Sequence, residues 1–457
     1  MNLSRRAVLA GMAVAGGAPS LARAAPRGPV NPLVRRRADA QIFRHDDGSY
    51  YMTASVPEYD RVVLRRARTI AGLTTAPETV LWRRSSNGPT SGFIWAPELH
   101  RIDDRWIIYF AAGPSGGGED VFRIRTYALA CDGADPLTGG WKVLGQLQTP
   151  WDSFNLDSTS FVHCGVRYLA WAQREPGIDT NSNLYLAPLA TPLTLAAKPV
   201  RLTVPSLPWE VQGFKVAEGP APLVRNGRFF MTYSASATDA RYCMGMLTAR
   251  EDADLMNPAS WTKSPTPVFV SSPETGVWGP GHNSFTVDEQ GRDMLVYHGR
   301  DYERITGDPL FDPNRHTRVQ RLYYGADGAP DFGVPVGEGA LPERFRSARG
   351  FLRYDGDRLT VGEGPLAASQ FRYMPDGSIQ PILRREMRVF ARPDGRVLLA
   401  SAERSRFRRV PGLSDPRGVS FALAAKPDRY LLSDGAVVRC AVPTDAQARR
   451  AATFSAT

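Results

Sequence analysis

Lysine is scarce in this chain, and the shortage narrows the kinds of partner that the protein can bind. Only five of its 56 basic residues are lysine, and the arginines are scattered rather than gathered in runs. Proteins that bind nucleic acid concentrate Lys and Arg on one face or in short clusters. The formal net charge of +10 therefore reflects arginine spread throughout the chain, and we expect no nucleic acid as a partner.

Cysteine and long apolar runs are also lacking. The four cysteines, Cys131, Cys164, Cys243 and Cys440, show no spacing typical of a metal site. Each lies in or beside a strand-like run, so we expect buried free thiols, although an exported protein would be permitted a disulfide. Beyond the first 24 residues no apolar stretch is long enough to span a bilayer, and we expect no membrane span.

Residues 1–24 have the three parts of a twin-arginine export signal. Ser4-Arg5-Arg6 precedes an apolar run rich in Ala and Gly, and Ala22-Arg23-Ala24 supplies a small-x-small cleavage site. The apolar run is too short and too rich in small residues to be a membrane-spanning helix. The sequence therefore predicts a bacterial protein that is exported to the periplasm or secreted.

One strand–turn–strand pattern occurs five times in the chain. In the clearest copy, Glu218 opens the apolar run 221–224, an Asn226-Gly227 turn follows, and residues 229–233 form a second apolar run. Asn-Gly between two such runs is a strong hairpin signal. The residues that lead the five copies lie 59, 59, 61 and 64 positions apart, and they are Asp39, Glu98, Asp157, Glu218 and His282.

This period predicts an all-β fold with a five-bladed β-propeller. About sixty residues suffice for a four-stranded blade and its loops. The first strand of each blade runs along the central axis of a propeller, so we expect the five leading residues to ring one mouth of the channel. Like charges held close together cannot all ionise freely, so their pKa values separate into those of an acid and a base.

A shorter period begins near residue 338. Asp355-Gly356, Asp394-Gly395 and Asp434-Gly435 are turns 39 and 40 residues apart, each between an aromatic-containing strand and a further apolar run. Three such units favour a β-trefoil, with a small β-sandwich as the alternative. We therefore divide the chain into an export signal (1–24), a five-bladed propeller (25–338) and a C-terminal β-trefoil-like domain (339–457).

Carboxylates that converge on a polar mouth are the groups that glycoside hydrolysis uses. One acid protonates the departing oxygen, and one base activates water from the opposite face of the sugar. Asp39 and Glu218 are two blades apart in one direction and three in the other, so they face each other at a separation that favours inversion. Asp157, adjacent in blade order, would raise the pKa of Glu218. Trp95 and Trp278 are placed to stack on sugars, or else to pack in the core.

The motifs around these residues resemble glycoside hydrolase family 43, and within it the exo-acting α-L-arabinofuranosidases. The resemblance covers about residues 31–336. The matching stretches are Ala38-Asp39-Ala40-Gln41-Ile42, Ile94-Trp95-Ala96-Pro97-Glu98-Leu99-His100, Asn155-Leu156-Asp157-Ser158-Thr159, Ala217-Glu218-Gly219-Pro220, Gly279-Pro280-Gly281-His282-Asn283-Ser284 and Arg315-His316-Thr317-Arg318-Val319-Gln320.

The resemblance implies catalytic roles for three carboxylates. Asp39 would be the general base and Glu218 the general acid. Asp157 would tune the pKa of Glu218 and orient the sugar. The implied reaction is the inverting release of terminal α-L-arabinofuranosyl residues from arabinan or arabinoxylan, with an arabinose-containing plant polysaccharide or oligosaccharide as the partner. Separately, we expect the protein to be a monomer.

The resemblance also implies a set of substrate-binding residues. Trp95 and Glu98 would line the subsite for the terminal sugar, and His282 would lie in the axial channel, where relatives often hold a water or a calcium ion. No catalytic metal or other cofactor is implied. Arg318, or else Arg315, would be the basic partner near the third carboxylate.

Other functions remain open at this point. A β-xylosidase or an endo-arabinanase would keep the fold and the mechanism, and the loops 114–119 and 206–212 would separate these from an arabinofuranosidase. A function of a different class is a non-catalytic propeller lectin. In such a lectin the catalytic acids at the mouth would be replaced by other residues, whereas all three catalytic positions here carry the appropriate acid.

The C-terminal repeats resemble the arabinofuranose-binding β-trefoil module of family 42. The matching phrases are Phe407-Arg408-Arg409-Val410-Pro411-Gly412-Leu413, Gly418-Val419-Ser420-Phe421 and Arg429-Tyr430-Leu431. That module usually presents a histidine shortly after the last phrase and an aspartate later in the same repeat. Here Ser433 stands at the histidine position and Asp445 is retained. A sugar-binding module and a structural appendage packed on the propeller therefore both remain open.

Overall fold

The computed structural model describes residues 28–116 and 120–457, so the predicted export signal lies outside the described residues. The described chain is almost entirely antiparallel β-sheet, with one short α-helix, Ala446–Ala451. Its 3₁₀ turns are Ala71–Thr74, Asp120–Arg123, Pro258–Ser260, Pro309–Phe311 and Leu366–Ser369. No helix in these ranges is long and apolar enough to cross a membrane.

Five antiparallel sheets form the blades of a propeller, as the repeat predicts. The strands of blade 1 are Ala38–Arg44, Tyr50–Ser55, Arg61–Ala67 and Glu78–Arg83, and those of blade 2 are Gly92–Ile102, Arg105–Gly113, Arg125–Cys131 and Lys142–Gln146. Blade 3 has Asn155–His163, Val166–Gln173, Asn183–Thr191, Thr194–Leu195 and Val200–Thr203, and blade 4 has Ala217–Arg225, Arg228–Ala235, Cys243–Arg250 and Thr262–Lys263.

Blade 5 is completed by the segment that precedes blade 1. Its sheet contains Trp278–Val287, Asp293–Arg300 and His316–Arg321. Along its outer edge, the backbone N–H of Leu33 donates to the carbonyl of Thr317 (2.8 Å), and the N–H of Thr317 donates to the carbonyl of Val34 (2.9 Å). Pairing of this edge covers an otherwise open strand and joins the first and last blades into a closed ring.

An apolar core lies between each pair of neighbouring blades. Successive strand residues point to opposite faces of a sheet, so Tyr50 packs toward blade 5 while Tyr51 packs toward blade 2. In the same way, Phe229 packs toward blade 3 and Phe230 toward blade 5. Both faces of each central strand are buried, which explains why these strands read as continuous apolar runs.

The C-terminal residues form a separate set of strands with a core of their own. Three hairpins are Gly350–Asp355 with Arg358–Gly362, Arg388–Ala391 with Val397–Ala400, and Lys426–Asp434 with Val437–Ala441. The hairpins pair with one another through Arg358 and Leu398, Thr360 and Val437, and Arg396 and Arg439. The other strands here are Phe345–Ser347, Phe371–Tyr373, Ile379–Pro381, Phe407–Pro411, Val419–Leu423 and Ser455–Ala456.

The junction between the two parts is held by backbone pairing and one buried guanidinium. Gly339–Ala340 pairs with Val30–Asn31 at the propeller. Arg372 donates to the carbonyls of Gly337, Glu338 and Ala340 at 2.6–2.7 Å. Two further short strands, Tyr323–Tyr324 and Pro330–Asp331, pair with each other just before this junction.

All four cysteines are free thiols, and three of them are buried. Cys164 is exposed, contrary to the expectation of burial. It occupies the tight turn between the first two strands of blade 3 with φ of 48°. A turn at the end of a hairpin projects from the sheet into solvent, whatever the apolar character of the flanking strands.

Candidate active site

A pocket of about 270 Å³ opens where the inner strands of the blades begin. Its lining includes the ionisable residues Asp39, Asp157, Glu218, His282 and Arg315. A larger cavity, about 330 Å³, lies near the opposite ends of three of these strands. Its charged groups already have partners, because Arg225 and Asp293 pair with each other (2.7 Å) and Arg44 donates to a backbone carbonyl. The chemistry is therefore concentrated at the first mouth.

Each inner strand has a β-bulge at this mouth. In every blade two consecutive residues of the inner strand lie opposite one residue of the neighbouring strand, and blades 2 and 5 have a second, earlier bulge that begins at Phe93 and at Gly279. The bulges that correspond across the five blades begin at residues with a positive φ, and these are Asp39 (53°), Ala96 (43°), Asp157 (55°), Gly219 (58°) and His282 (40°). A bulge redirects side chains locally, and left-handed backbone at non-glycine residues is strained and typical of functional sites.

The bulges correct the predicted alignment of the five repeats. Asp39, Asp157 and His282 are structurally equivalent, since each is the first residue of its bulge. Glu218 precedes the bulge residue Gly219 by one position, so it is not equivalent to the other three. It nevertheless reaches the same pocket, because the bulge reverses the usual alternation of side chains.

Glu98 lies two residues beyond its bulge residue, Ala96, and does not line the pocket. Its Oε2 is 3.2 Å from Nε2 of His100, an electrostatic contact without hydrogen-bond geometry. Trp95 occupies the position in blade 2 that Glu218 occupies in blade 4, and it does line the pocket. The uniform spacing of about sixty residues concealed this shift.

Asp39 is held by four side chains. The Ser55 hydroxyl donates to its Oδ2 (2.6 Å), and Nδ1 of His298 and Nη1 of Arg315 lie 3.1 and 3.4 Å from its Oδ1. Nδ1 of His282 is 3.6 Å from the same oxygen. Burial by itself raises the pKa of Asp39, but the charges of Arg315 and His282 and the His298 hydrogen bond outweigh burial and hold the pKa well below its usual value.

His298 has two competing contacts through one nitrogen. Its Nδ1 lies 3.2 Å from the backbone N–H of Asp39 and 3.1 Å from the carboxylate, and one nitrogen cannot both accept and donate. Burial lowers the pKa of His298 to about 4, so the ring is neutral. The charge-assisted bond to the carboxylate is the stronger one and favours the tautomer with hydrogen on Nδ1.

His282 links two of the carboxylates. Its Nδ1 is 3.7 Å from Oδ2 of Asp157, in addition to its contact with Asp39. Burial lowers the pKa of His282, but the charges of Asp157, Asp39 and Glu218 more than compensate and raise it. Burial also raises the pKa of Asp157 to about 6, although His282 and the backbone N–H of Gly219 (3.0 Å) oppose the shift.

Glu218 is the carboxyl group in this pocket whose pKa is raised furthest. Burial, followed by the charge of Asp157, raises its pKa to about 7. The Tyr242 hydroxyl donates to its Oε1 at 2.7 Å and partly offsets this rise. The pocket thus combines a carboxylate that is ionised, at Asp39, with a carboxyl group that retains its proton.

The basic residue of the pocket is Arg315 rather than Arg318. Arg318 is fully buried, forms an ion pair with Asp301, donates to the carbonyl of Val336, and does not line the pocket. Arg315 lines the pocket and contacts Asp39, not Asp157 as expected. The two arginines are three residues apart, and the strand His316–Arg321 begins between them. The sequence alone therefore could not show which of the two side chains faces the pocket.

Apolar side chains from three loops form the walls. Phe122 and Phe214 line the pocket, and they lie just after the two loops, 114–119 and 206–212, that we expected to determine substrate choice. Residues 117–119 lie outside the described residues. Leu310, which the sequence did not indicate, belongs to a loop between the last two strands of blade 5. Its carbonyl accepts a hydrogen bond from Tyr59, which in turn accepts one from Arg315 (2.9 Å).

Several residues that contact the ionisable groups of the pocket escaped the sequence reading. Tyr242 and Tyr59 lie outside the repeated hairpins, and no local pattern marks them. His298 was detectable in principle as a polar residue that ends the apolar run 294–297. Trp278, a candidate for sugar stacking, does not line the pocket.

The residues around His282 do not fit a calcium site. Calcium takes six to eight oxygen ligands, whereas no group of three His, Cys, Asp or Glu side chains in residues 28–116 and 120–457 is arranged to hold a metal. The raised pKa of His282 also favours an imidazolium, which repels a cation.

Known proteins show clear similarity to this chain. Residues 29–330 match the family model for glycosyl hydrolases family 43. An α-L-arabinofuranosidase 43 of Humicola insolens is 49% identical over 435 residues, covering 89% of this chain and 90% of the relative. An extracellular exo-α-(1→5)-L-arabinofuranosidase of Streptomyces avermitilis is 54% identical over 348 residues, covering 75% and 72%. The crystal structure of an α-L-arabinofuranosidase from Lactobacillus brevis has a TM-score of 0.66 and 52% identity, covering 68% of this chain and 98% of that one.

Proposed function

The chain belongs to glycosyl hydrolases family 43, an inverting family of glycosidases, and on that premise we propose that it releases terminal α-L-arabinofuranosyl residues from arabinan or arabinoxylan. The observation that carries the proposal is the pair of opposite protonation states in one pocket. Asp39 is ionised in the pH range below about 7 in which Glu218 still holds its proton. Inverting hydrolysis needs a base and an acid in those two states at the same pH.

The proposed reaction assigns one proton transfer to each carboxyl group. Glu218 donates its proton to the glycosidic oxygen as the bond between that oxygen and the anomeric carbon breaks, with the electron pair going to the oxygen. A water molecule attacks the anomeric carbon from the opposite face and gives its proton to Asp39. Asp157 keeps Glu218 protonated by its nearby charge.

The proposed sugar subsite is built from residues beside these carboxylates. Trp95 lines the pocket and is placed to contact a bound sugar. His282 and Arg315 carry positive charge toward Asp39. Glu98 contributes from behind the pocket, through its charge on Asp157 and His282.

Exo action is supported by the walls of the pocket and by the relatives. Phe214 and Leu310 border the space next to the carboxylates. An enzyme that attacks within a chain needs instead a cleft that is open at both ends. Relatives from two Streptomyces species are named exo-α-(1→5)-L-arabinofuranosidases. We therefore place an endo-arabinanase and a β-xylosidase behind an exo-arabinofuranosidase.

The C-terminal residues 339–457 are proposed to form a β-trefoil-like domain of structural character. Three hairpins that pair with one another support the threefold arrangement. Asp445, the retained residue of the sugar-binding pattern, caps the helix Ala446–Ala451 by accepting from the N–H of Ala448 (2.7 Å). Ser433 is buried and donates to the carbonyl of Ala451 (3.4 Å). Both side chains are thus engaged in local structure.

Export through a twin-arginine signal and a monomeric state complete the proposal. Relatives named extracellular support export. Amino-terminal sequencing of the exported protein should begin at Ala25, and light scattering should give the mass of one chain. An uncleaved amino terminus or a dimer mass would refute the respective statement.

The experiment that tests the function compares wild type with Glu218→Ala on three substrates. These are the 4-nitrophenyl α-L-arabinofuranoside, the 4-nitrophenyl β-D-xyloside and a linear α-1,5-arabino-oligosaccharide, each with and without EDTA. We expect wild type to cleave the arabinoside and the oligosaccharide equally well with EDTA, and the variant to lose about 10²–10⁴-fold on the oligosaccharide. Xyloside cleavage alone would make the enzyme a xylosidase, and no cleavage of any substrate would favour a lectin.

A further inference from the structure

Glu218, the proposed general acid, has one side-chain hydrogen-bond partner among the described residues. The hydroxyl of Tyr242 donates to its Oε1 at 2.7 Å, and no hydrogen bond from residues 28–116 or 120–457 reaches Oε2. Tyr242 lies immediately before the third strand of blade 4, is 2% exposed, and lines the pocket. No element of the repeated pattern marks this residue, and its contact raises the question of what the hydroxyl does.

The chemistry of a carboxyl group makes this contact selective. A protonated carboxyl carries hydrogen on one oxygen and accepts hydrogen bonds at the other. Because Tyr242 donates to Oε1, the transferable proton of Glu218 must lie on Oε2, the oxygen that no protein group occupies. After the proton has left, the same bond becomes charge-assisted and therefore stronger.

The bond to Glu218 orients the Tyr242 hydroxyl. The Ser234 side chain, whose Oγ accepts from the backbone N–H of His282 (2.6 Å), lowers the pKa of Tyr242 but does not outweigh burial. Burial and the charges of Glu218, Asp157 and Asp39 raise the pKa of Tyr242 well above its usual value, so it remains a donor throughout the working pH range.

Packing fixes the ring in this place. The ring of Tyr242 stacks on that of His298, with centroids 5.6 Å apart and planes 7° apart. On the inner strand of blade 5, a Cβ added to Gly281 would lie 2.4 Å from Cε1 of the ring, so glycine is required there. The stack places Tyr242 between the two catalytic carboxyl groups, since His298 itself contacts Asp39.

We propose, on the basis of the function assigned above, that Tyr242 is a positioning residue that confines the transferable proton to Oε2 of Glu218 and stabilises the carboxylate left after transfer. It acts through Glu218 and needs no contact with the substrate. The charged groups that face Glu218 from the other blades are Asp157, Asp39 and His282, and they remain in place when the phenol hydroxyl is removed.

The test uses Tyr242→Phe, which removes the hydroxyl and keeps the stacked ring. On the arabino-oligosaccharide, whose leaving group needs a proton, we expect kcat to fall about 10- to 100-fold with KM near that of wild type. On the 4-nitrophenyl arabinoside, whose leaving group needs little protonation, we expect a fall of less than about fivefold. The alkaline limb of the pH profile of kcat/KM should move up by about one unit, because the lost bond favoured ionised Glu218.

Tyr233→Phe is the matched control. Tyr233 is a buried tyrosine of the same blade whose hydroxyl donates to another carboxylate, Glu210 (2.6 Å), and it does not line the pocket. We expect this variant to keep the wild-type ratio between the two substrates and the wild-type alkaline limb. Melting temperatures of both variants show whether each is folded.

Three outcomes separate the possibilities. Equal losses on both substrates with an unmoved alkaline limb would overturn the positioning role of Tyr242 and leave only packing. A downward shift of the alkaline limb would also overturn the positioning role, because a lower pKa of Glu218 is the effect of losing a nearby negative charge and not of losing a hydrogen-bond donor. Absence of wild-type activity on either arabinoside would refute the proposed function itself, which is a different result from a failure confined to the variant.

Discussion

Replacement of Arg315 by Gln should move the acid limb of the pH profile to higher pH. The guanidinium Nη1 lies 3.4 Å from Oδ1 of Asp39, and both side chains are buried. Asp39 must be ionised to accept a proton from water, so activity falls as the pH drops through its pKa. Because Arg315 lowers that pKa, its removal raises the pKa, and the enzyme should lose activity at a pH where wild type is still active.

The size of the shift follows from the separation of the charges. Two unit charges 3.4 Å apart interact by about 5 kcal/mol at an effective dielectric constant of about 20. The positive charge of His282 and the hydrogen bonds from Ser55 and His298 remain after the substitution. We therefore expect only part of that interaction energy to be lost, which would raise the pKa of Asp39, and with it the acid limb, by about 1–3 pH units.

The assay is kcat/KM on the α-1,5-arabino-oligosaccharide across the pH range, for wild type, Arg315→Gln and Arg318→Gln. Arg318 is the matched control, since it is buried three residues away but paired with Asp301. Its replacement should lower the melting temperature, because a buried ion pair is broken, and should leave the acid limb in place. An unmoved acid limb in Arg315→Gln, or an equal shift in both variants, would refute the reasoning.

Two further predictions concern the third carboxylate and the C-terminal domain. Asp157→Asn removes a negative charge that helps to keep Glu218 protonated, so the alkaline limb of the pH profile should move down from about 7 by about one unit. This shift is opposite in sign to the one expected for Tyr242→Phe. An upward shift, or no shift, would contradict this account of Glu218. In affinity electrophoresis through arabinan, a short arabino-oligosaccharide that competes for the pocket should abolish all retardation of the intact Glu218→Ala chain. Retardation that persists with the competitor present would show that residues 339–457 bind sugar.

Much of the fold was predictable because the repeats are written in local patterns. Asn226-Gly227 and Asp434-Gly435 lie at hairpin turns as expected, with their glycines at positive φ. The five-fold period located all five inner strands, because each blade buries both faces of its central strands and so repeats the same apolar run. The completion of blade 5 by Leu33 and Val34 was not predictable, since nothing local marks a segment that pairs with an edge almost 300 residues away.

The sequence by itself determined the number of blades and the identity of three acidic residues of the pocket, because strand patterning and motif spacing are properties of the chain order. The tertiary structure alone decided which side chains meet. It placed Arg315 rather than Arg318 against Asp39, moved Glu98 out of the pocket, and brought Tyr242 to Glu218. The physical reason is the β-bulge: one extra residue in an inner strand reverses which side chains face the channel, and its exact position depends on the neighbouring strand rather than on the spacing of the repeat.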